Sequence, residues 1–193
     1  MATSSWPTIN YPSSDLSESA GAILFDLPSK RICILQYMTY VNDDWKTEYL
    51  LPKGRRNWSE SRAAAAMREV QEETGYECEL LDVKMETRCP PLVEEDDNTP
   101  DVVRMAQGKG EPFMLQVRQL GRGGVKLIWW YIAEKISYVQ FDTQGREIKR
   151  QFDHEWFYYD EAVERLTFED DRVVVRKAIE IVKANCENAV AQA

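Results

Sequence analysis

Three glutamates, Glu69, Glu72 and Glu73, stand at i, i+3 and i+4. A helix of 3.6 residues per turn gathers them into an arc of roughly 100°. Like charges at that spacing repel and cost helix stability, and a divalent cation would remove the cost. Hard cations such as magnesium take oxygen ligands and usually keep several waters. A glutamate-rich helix face is, on its own, ordinary solvated surface. What sets this one apart is its flanks: Gly54, Glu60, Arg68 directly before Glu69, and Gly75. Glu60 lies half a turn out of phase with Glu69, which places it at the helix start or on the preceding loop, reaching back.

The residues between must form that helix. Ser59 or Ser61 supplies an N-cap. Residues 63–67 are strong helix formers, and Gly75 is a natural stop. Ala63, Met67, Val70 and Thr74 share one face, which is expected to pack on a core.

From Gly54 the chain runs Gly, five residues, Glu60, seven residues, Arg68-Glu69-Val70, one residue, Glu72-Glu73, one residue, Gly75 and Tyr76. This resembles the Nudix box at every fixed position. The resemblance implies an α+β domain, the Nudix α/β/α sandwich with a mixed sheet, and a loop-helix-loop that binds Mg2+ or Mn2+. It implies cleavage of a nucleoside diphosphate linked to another moiety, or of a related diphosphate. Carried over by position, Glu69, Glu72 and Glu73 are the metal-binding glutamates, and Arg68 orients a glutamate. Glu60 supports the site, and the backbone carbonyl of Lys53 is an extra ligand. In several members a glutamate just before an aromatic supplies a ligand from outside the box; here that is Glu155, before Trp156.

The rest of the chain is read as scaffold and pocket. Its 193 residues fit one domain: a flexible arm over 1–17, the catalytic domain over 18–185 and a tail over 186–193. Strands are expected at 19–26, 31–38, 48–51, 78–88, 112–119, 125–136 and 154–159. Helices are expected at 160–166, capped by Asp160, and at 171–185, with Val174, Ala178, Ile181 and Val182 inward. Residues 41–46, 91–100 (with its EEDD run) and 138–150 read as loops.

A net charge of −9 argues against nonspecific binding to nucleic acid or anionic membrane. Cys33, Cys78, Cys89 and Cys186 form no CxxC pair, and with one histidine in the chain zinc is not expected. Scattered thiols suit a reducing compartment. Residues 1–15 show neither a basic nor an apolar region of a signal peptide. No apolar run is long enough to span a bilayer. The expectation is a cytoplasmic protein, with the nucleus as the alternative, and a monomer rather than a homodimer.

Against the acidic background two basic groups stand out. One is Lys53, Arg55 and Arg56 beside the box; the other spans 104–126 with Arg104, Lys109, Arg118, Arg122 and Lys126. Lys53, Arg55, Arg56, Arg118, Arg122 and Lys126 are the candidates to meet substrate phosphates. The LPKG opening of the box and the EWF strand followed by DEA resemble the Nudix subfamily that handles diphosphoinositol and diadenosine polyphosphates. A small-molecule polyphosphate is therefore the expected substrate. Nucleotide sugars, ADP-ribose and capped RNA are alternatives, and a Nudix-fold binding module without catalysis is a third class. A nucleobase would need a stacking partner, for which Trp45, Tyr49, Trp58 and Phe113 are candidates.

Overall fold

A computed structural model describes residues 5–90, 101–139 and 152–191, with the side chains of Arg122 and of residues 188–191 left out. The acidic run at 94–97 and most of the expected 138–150 loop lie outside the described residues.

The centre is β1 (Leu16–Asp26), whose apolar run SAGAILF is buried on both faces, as suits a central strand. It pairs in parallel with β9 (Val125–Tyr138) over ten residues. It also pairs antiparallel with β2 (Arg31–Val41) and with the three-residue β4 (Lys53–Arg55). β10 (Asp153–Tyr158) lies outside β2, and β5 (Tyr76–Leu80) outside β9. β3 (Asp44–Leu50) pairs β2, and β8 (Met114–Gln119) pairs β9, giving an eight-stranded mixed sheet. β6 (Asp82–Thr87) and β7 (Arg104–Lys109) form a second, two-stranded sheet.

Helices cover both faces of the large sheet. α1 (Arg62–Thr74) packs on Ala20, Ala22, Leu24, Cys33 and Tyr131. On the opposite face α2 (Tyr159–Arg165) and α3 (Glu169–Ala191) pack on Ile23, Phe25, Ile32, Ile34 and Trp130. Alternation along β1 sends even-numbered residues to α1 and odd-numbered ones to α3. The result is the α/β/α sandwich with a mixed sheet that the box resemblance implies.

Several expectations shift in detail. Residues 41–46, read as a loop, form the end of one strand, a two-residue turn and the start of the next. Asn42 and Asp43 both take positive φ, 54° and 61°. That geometry matches the twist of a hairpin, and Asn and Asp tolerate it. The single strand expected at 78–88 is two: the Leu81 N–H bonds the Ile132 carbonyl, and beyond it β6 leaves for the second sheet. In α1, Val70 and Thr74 are buried as expected, but Ala65 and Ala66 lie deeper than Ala63 and Met67. Ser61, not Ser59, is the N-cap, its Oγ accepting from the Ala64 N–H at 3.1 Å. The α2 N-cap is Tyr158, with Asp160 in the first turn. All four expected inward residues of α3 are buried. The four cysteines are free. Among the described residues no helix is long and apolar enough to cross a membrane.

Candidate active site

Strand β4 is the wall on which the site is built. Gly54 faces α1, and Lys53 and Arg55 on either side of it face the other way, because side chains alternate along a strand. Against Gly54 lies the buried Glu69 carboxylate; a Cβ at position 54 would overlap it. Gly54→Ala is therefore expected to displace Glu69 and lower turnover about 10²-fold, with a much smaller change in melting temperature. Steady-state kinetics beside a thermal melt checks this; near-normal turnover would show that Glu69 moves aside freely.

Arg68 ties the carboxylates together. Its Nε and Nη2 donate to the two oxygens of Glu60 at 2.8 and 3.0 Å. Its Nη1 donates to Glu69 Oε1 at 2.7 Å and to Glu72 Oε2 at 3.0 Å. Its Nη2 also reaches the Arg55 carbonyl at 3.0 Å, fastening the helix to β4. Arg68 holds the Glu60 carboxyl below its ordinary value, and Glu60 in turn raises that of Arg68. Glu60 sits on the loop before α1, as its phase predicts, with its Oε2 also accepting from the Asn57 N–H at 2.9 Å.

Glu73 differs from its neighbours. Its Oε2 accepts from the Lys53 backbone N–H at 2.8 Å. Burial pushes its carboxyl up to about 7, against the opposing pull of the Lys53 N–H. A desolvated carboxylate without a cationic side chain bonded to it is an acceptor a metal ion would satisfy.

Among the described residues no three His, Cys, Asp or Glu side chains converge as a ready metal cage. Arg68 instead engages one oxygen each of Glu69 and Glu72, leaving Glu69 Oε2, Glu72 Oε1 and Glu73 Oε1 outside the bonds described above. The donor set is all oxygen, which fits a hard divalent cation. Glu155 stands apart on β10, with β2 between it and β1, and its Oε2 accepts from Gln36 Nε2 at 2.9 Å. An open groove of about 550 Å³ runs there, along β10 and α2 past Arg31, Glu155, Phe157 and Arg165, and includes no box residue.

The basic residues divide by strand register. Lys53 lies opposite Gly21, and Arg55 opposite Ser19. Ser19 lies opposite Ile128, and Lys126 opposite Arg118. These positions share the α3 face, so Lys53, Arg55, Arg118 and Lys126 form one cluster. Burial, and repulsion from Lys53, Arg118 and Arg55, lower the Lys126 ammonium below its ordinary value. Asp171, in the first turn of α3 and only 1% exposed, accepts from Arg118 Nη2 at 3.3 Å. Its carboxyl is raised by burial, against the pull of Lys53 and Arg118.

Asp171 was not among the residues singled out from sequence; a carboxylate one turn into an amphipathic helix reads as a dipole partner. Ser19 was also missed: its Oγ is buried, with no hydrogen-bond partner among the described residues, on the face of the cluster. Arg56 falls on the α1 face and pairs with Glu18 at 2.9 Å. Arg104 and Lys109 go to the second sheet, from which Lys109 reaches Glu79 on β5 at 3.0 Å. The side chain of Arg122 lies outside the described residues.

The NUDIX domain family model matches residues 16–178. A search of curated proteins found no match. Among solved structures the chain is similar to a NUDIX hydrolase from Nitrosomonas europaea, at 16% identity over 87% of this chain and 88% of that one, with a TM-score of 0.50. It is similar to the E. coli ORF135 protein, at 16% identity over 91% and 96% of the two chains, TM-score 0.52. It is also similar to the C. elegans Ap4A hydrolase, at 15% identity over 86% and 98%, TM-score 0.49. At such identities the likeness is one of fold; the family match spans most of the sequence and includes the whole loop-helix unit around Arg68, and the chain belongs to the Nudix family of hydrolases.

Proposed function

We propose that this Nudix hydrolase cleaves a phosphoanhydride bond in a small, highly charged polyphosphate, with diphosphoinositol and diadenosine polyphosphates as the substrate classes. The observation that carries the reading is the meeting of Lys53, Arg55, Arg118 and Lys126 on one side of β4, with the box glutamates against the other. Four cations against one buried carboxylate, Asp171, leave an excess of positive charge that suits a polyanion.

Glu69, Glu72 and Glu73, with the Lys53 carbonyl, would hold Mg2+ or Mn2+. When bound, such an ion polarises a phosphoryl oxygen and lowers the pKa of a coordinated water. Arg68 fixes the helix to β4 and sets the orientation of Glu69 and Glu72. Lys53, Arg55, Arg118 and Lys126 would seat the phosphates not being cleaved, fixing which phosphorus faces the carboxylates. Asp171 holds Arg118 in place. Glu155, on the far side of β2 from β1 and bonded through Oε2 to Gln36, would have only its Oε1 open to a cation.

The four aromatic candidates for a nucleobase differ in how free they are to stack. Trp45 packs on Tyr40 at the β2–β3 hairpin, with ring centroids 5.3 Å apart. Trp58 is 97% exposed on the loop before α1. Tyr49 already carries the Arg165 guanidinium, 4.4 Å from its ring centroid, and Phe113 packs on the core. A nucleobase would have to displace a partner at Tyr49 or Phe113, which leaves the exposed Trp58 as the platform on which it could stack.

The test is product release with Mg2+ from a panel of a diphosphoinositol polyphosphate, diadenosine tetra- and hexaphosphate, ADP-ribose and capped RNA. Activity on the first three, absent in Glu72→Gln, supports the reading; a preference for ADP-ribose or capped RNA rejects it. Within the panel, Arg118→Ala and Lys126→Ala are each expected to raise KM about tenfold or more for the most phosphorylated substrate. They should change KM for ADP-ribose far less. An equal effect on every substrate would remove these residues from phosphate recognition.

A further inference from the structure

We infer that Glu18, on β1 and outside the box, is a positioning residue for the metal-holding glutamates, acting through Arg56, Glu60 and Arg68. The inference rests on the reading of Glu69, Glu72 and Glu73 as metal holders. It extends the site to a residue that neither the box nor its spacing marks.

The connection is continuous. Glu18 Oε2 accepts from Arg56 Nε at 3.0 Å and Nη2 at 2.9 Å. Arg56 Nη1 donates to the Glu60 carbonyl at 2.8 Å, and the Arg56 N–H to the Glu18 carbonyl at 3.1 Å. The Glu60 side chain clasps Arg68, and Arg68 carries Glu69 and Glu72. The other oxygen of Glu18 is held separately. Oε1 accepts from Arg62 Nη2 at 2.7 Å, Arg62 Nε at 2.9 Å and Trp129 Nε1 at 3.0 Å. Arg62 also lies over the Trp129 ring, 4.1 Å from its centroid.

Glu18 thus joins a fixed point on β1 and β9 to the loop that carries Glu60. Residues 56–61 carry no strand or helix, and Ser59 within them has a φ of 62°. Glu60 and Arg56 are the loop's points of attachment to the helix and to the sheet. The Glu18 side chain is 14% exposed and Arg56 30%. Burial opposes the Glu18 charge, but Arg62, Trp129 and Arg56 together outweigh it, so the carboxylate is firmly held between the sheet and the loop. The pairing also assigns Arg56: a guanidinium engaged with Glu18 and the Glu60 carbonyl is committed to the loop rather than to substrate.

Partners that orient metal-holding groups typically change metal affinity about 10–100-fold when removed. The experiment compares the full chain with Glu18→Gln, Arg56→Gln, Arg62→Gln and Glu72→Gln. Mn2+ binding is measured without substrate, by electron paramagnetic resonance of the free ion, beside kcat, KM and thermal melting. Glu18→Gln and Arg56→Gln are expected to weaken Mn2+ binding about tenfold and raise the metal concentration for half-maximal activity equally. KM at saturating metal should stay within about twofold. Arg62→Gln removes a Glu18 partner but not the path to Glu60, and should leave Mn2+ affinity unchanged. Wild-type Mn2+ affinity in Glu18→Gln, or in Arg56→Gln should the former not fold, overturns the inference whatever the melting temperature. Equal weakening in Arg62→Gln also overturns it, since the cause would then be general loosening of α1. Retained Mn2+ binding in Glu72→Gln would instead remove the metal-site reading itself, and the inference with it.

Discussion

Glu72→Gln is expected to lower kcat at saturating Mg2+ by about a thousandfold or more while leaving the melting temperature within a few degrees. The two effects separate because of where Glu72 sits. Its side chain is 58% exposed, and its described partner is Arg68, four residues back on the same helix. An exposed i, i+4 ion pair contributes about 0.3–0.5 kcal/mol, so folding has little to lose. Gln keeps the shape and one carbonyl oxygen but removes the charge. If the carboxylate holds a cation that stabilises charge developing at phosphorus, several kcal/mol of transition-state stabilisation go with it, and each 1.36 kcal/mol is about tenfold. Steady-state kinetics over a magnesium titration, with calorimetry on the same preparations, makes the measurement. Turnover within tenfold of wild type would mean that Glu72 is ordinary helix surface and that the charge is needed elsewhere.

Glu73→Gln should abolish activity and at the same time stabilise the metal-free protein above pH 7. Burial raises the Glu73 carboxyl to about 7, from an ordinary 4.5. Below about 4.5 the group is protonated in both folded and unfolded chains and costs nothing. Between 4.5 and 7 the unfolded chain releases the proton while the folded chain keeps it, so stability falls as pH rises. Above 7 the cost is complete. The gap caps that cost at about 3 kcal/mol, and partial access to water reduces it to about 1–2 kcal/mol. For a chain of this size that is about 3–6 °C in melting temperature. Glu60 and Asp26, held low by Arg68 and Lys135, act in another window: their contribution is present above their ordinary values and lost as pH falls through the lowered ones. Melting the EDTA-treated wild type and Glu73→Gln from pH 5 to 9 checks the sign. The wild-type curve should descend toward pH 7 and the variant stay flat; Mg2+ should raise the wild type alone. Parallel curves would show that Glu73 is not the group that destabilises the apo protein.

The helix, its phase and the identity of the family were legible from the residues alone, because they depend on interactions a few positions apart in the chain. The spacing from Gly54 to Gly75 places Glu69, Glu72 and Glu73 on one arc, Glu60 on the loop before them and a left-handed stop after them, at Gly75 with φ 78°. The amphipathic pattern also found the inward face of α3, Val174, Ala178, Ile181 and Val182. Local chemistry was legible and missed at the Asn42-Asp43 turn, where two residues that tolerate positive φ join strands read as separated by a loop, and at the α2 cap, which is Tyr158 rather than Asp160.

The grouping of the cations emerges only once the strands pair. In the run Lys53-Gly54-Arg55-Arg56 nothing separates the three basic residues, yet pairing with β1 sends Lys53 and Arg55 to the α3 face and Arg56 to the α1 face beside Glu18. The basic segment at 104–126 divides likewise, Arg104 and Lys109 into the second sheet and Arg118 and Lys126 into the cluster. A strand changes face at every residue, so a one-residue difference in register exchanges a side chain of the basic cluster for one paired with Glu18. That register is set by pairing between β1, β4, β8 and β9, which lie up to about a hundred residues apart in the chain and become neighbours only when the sheet forms.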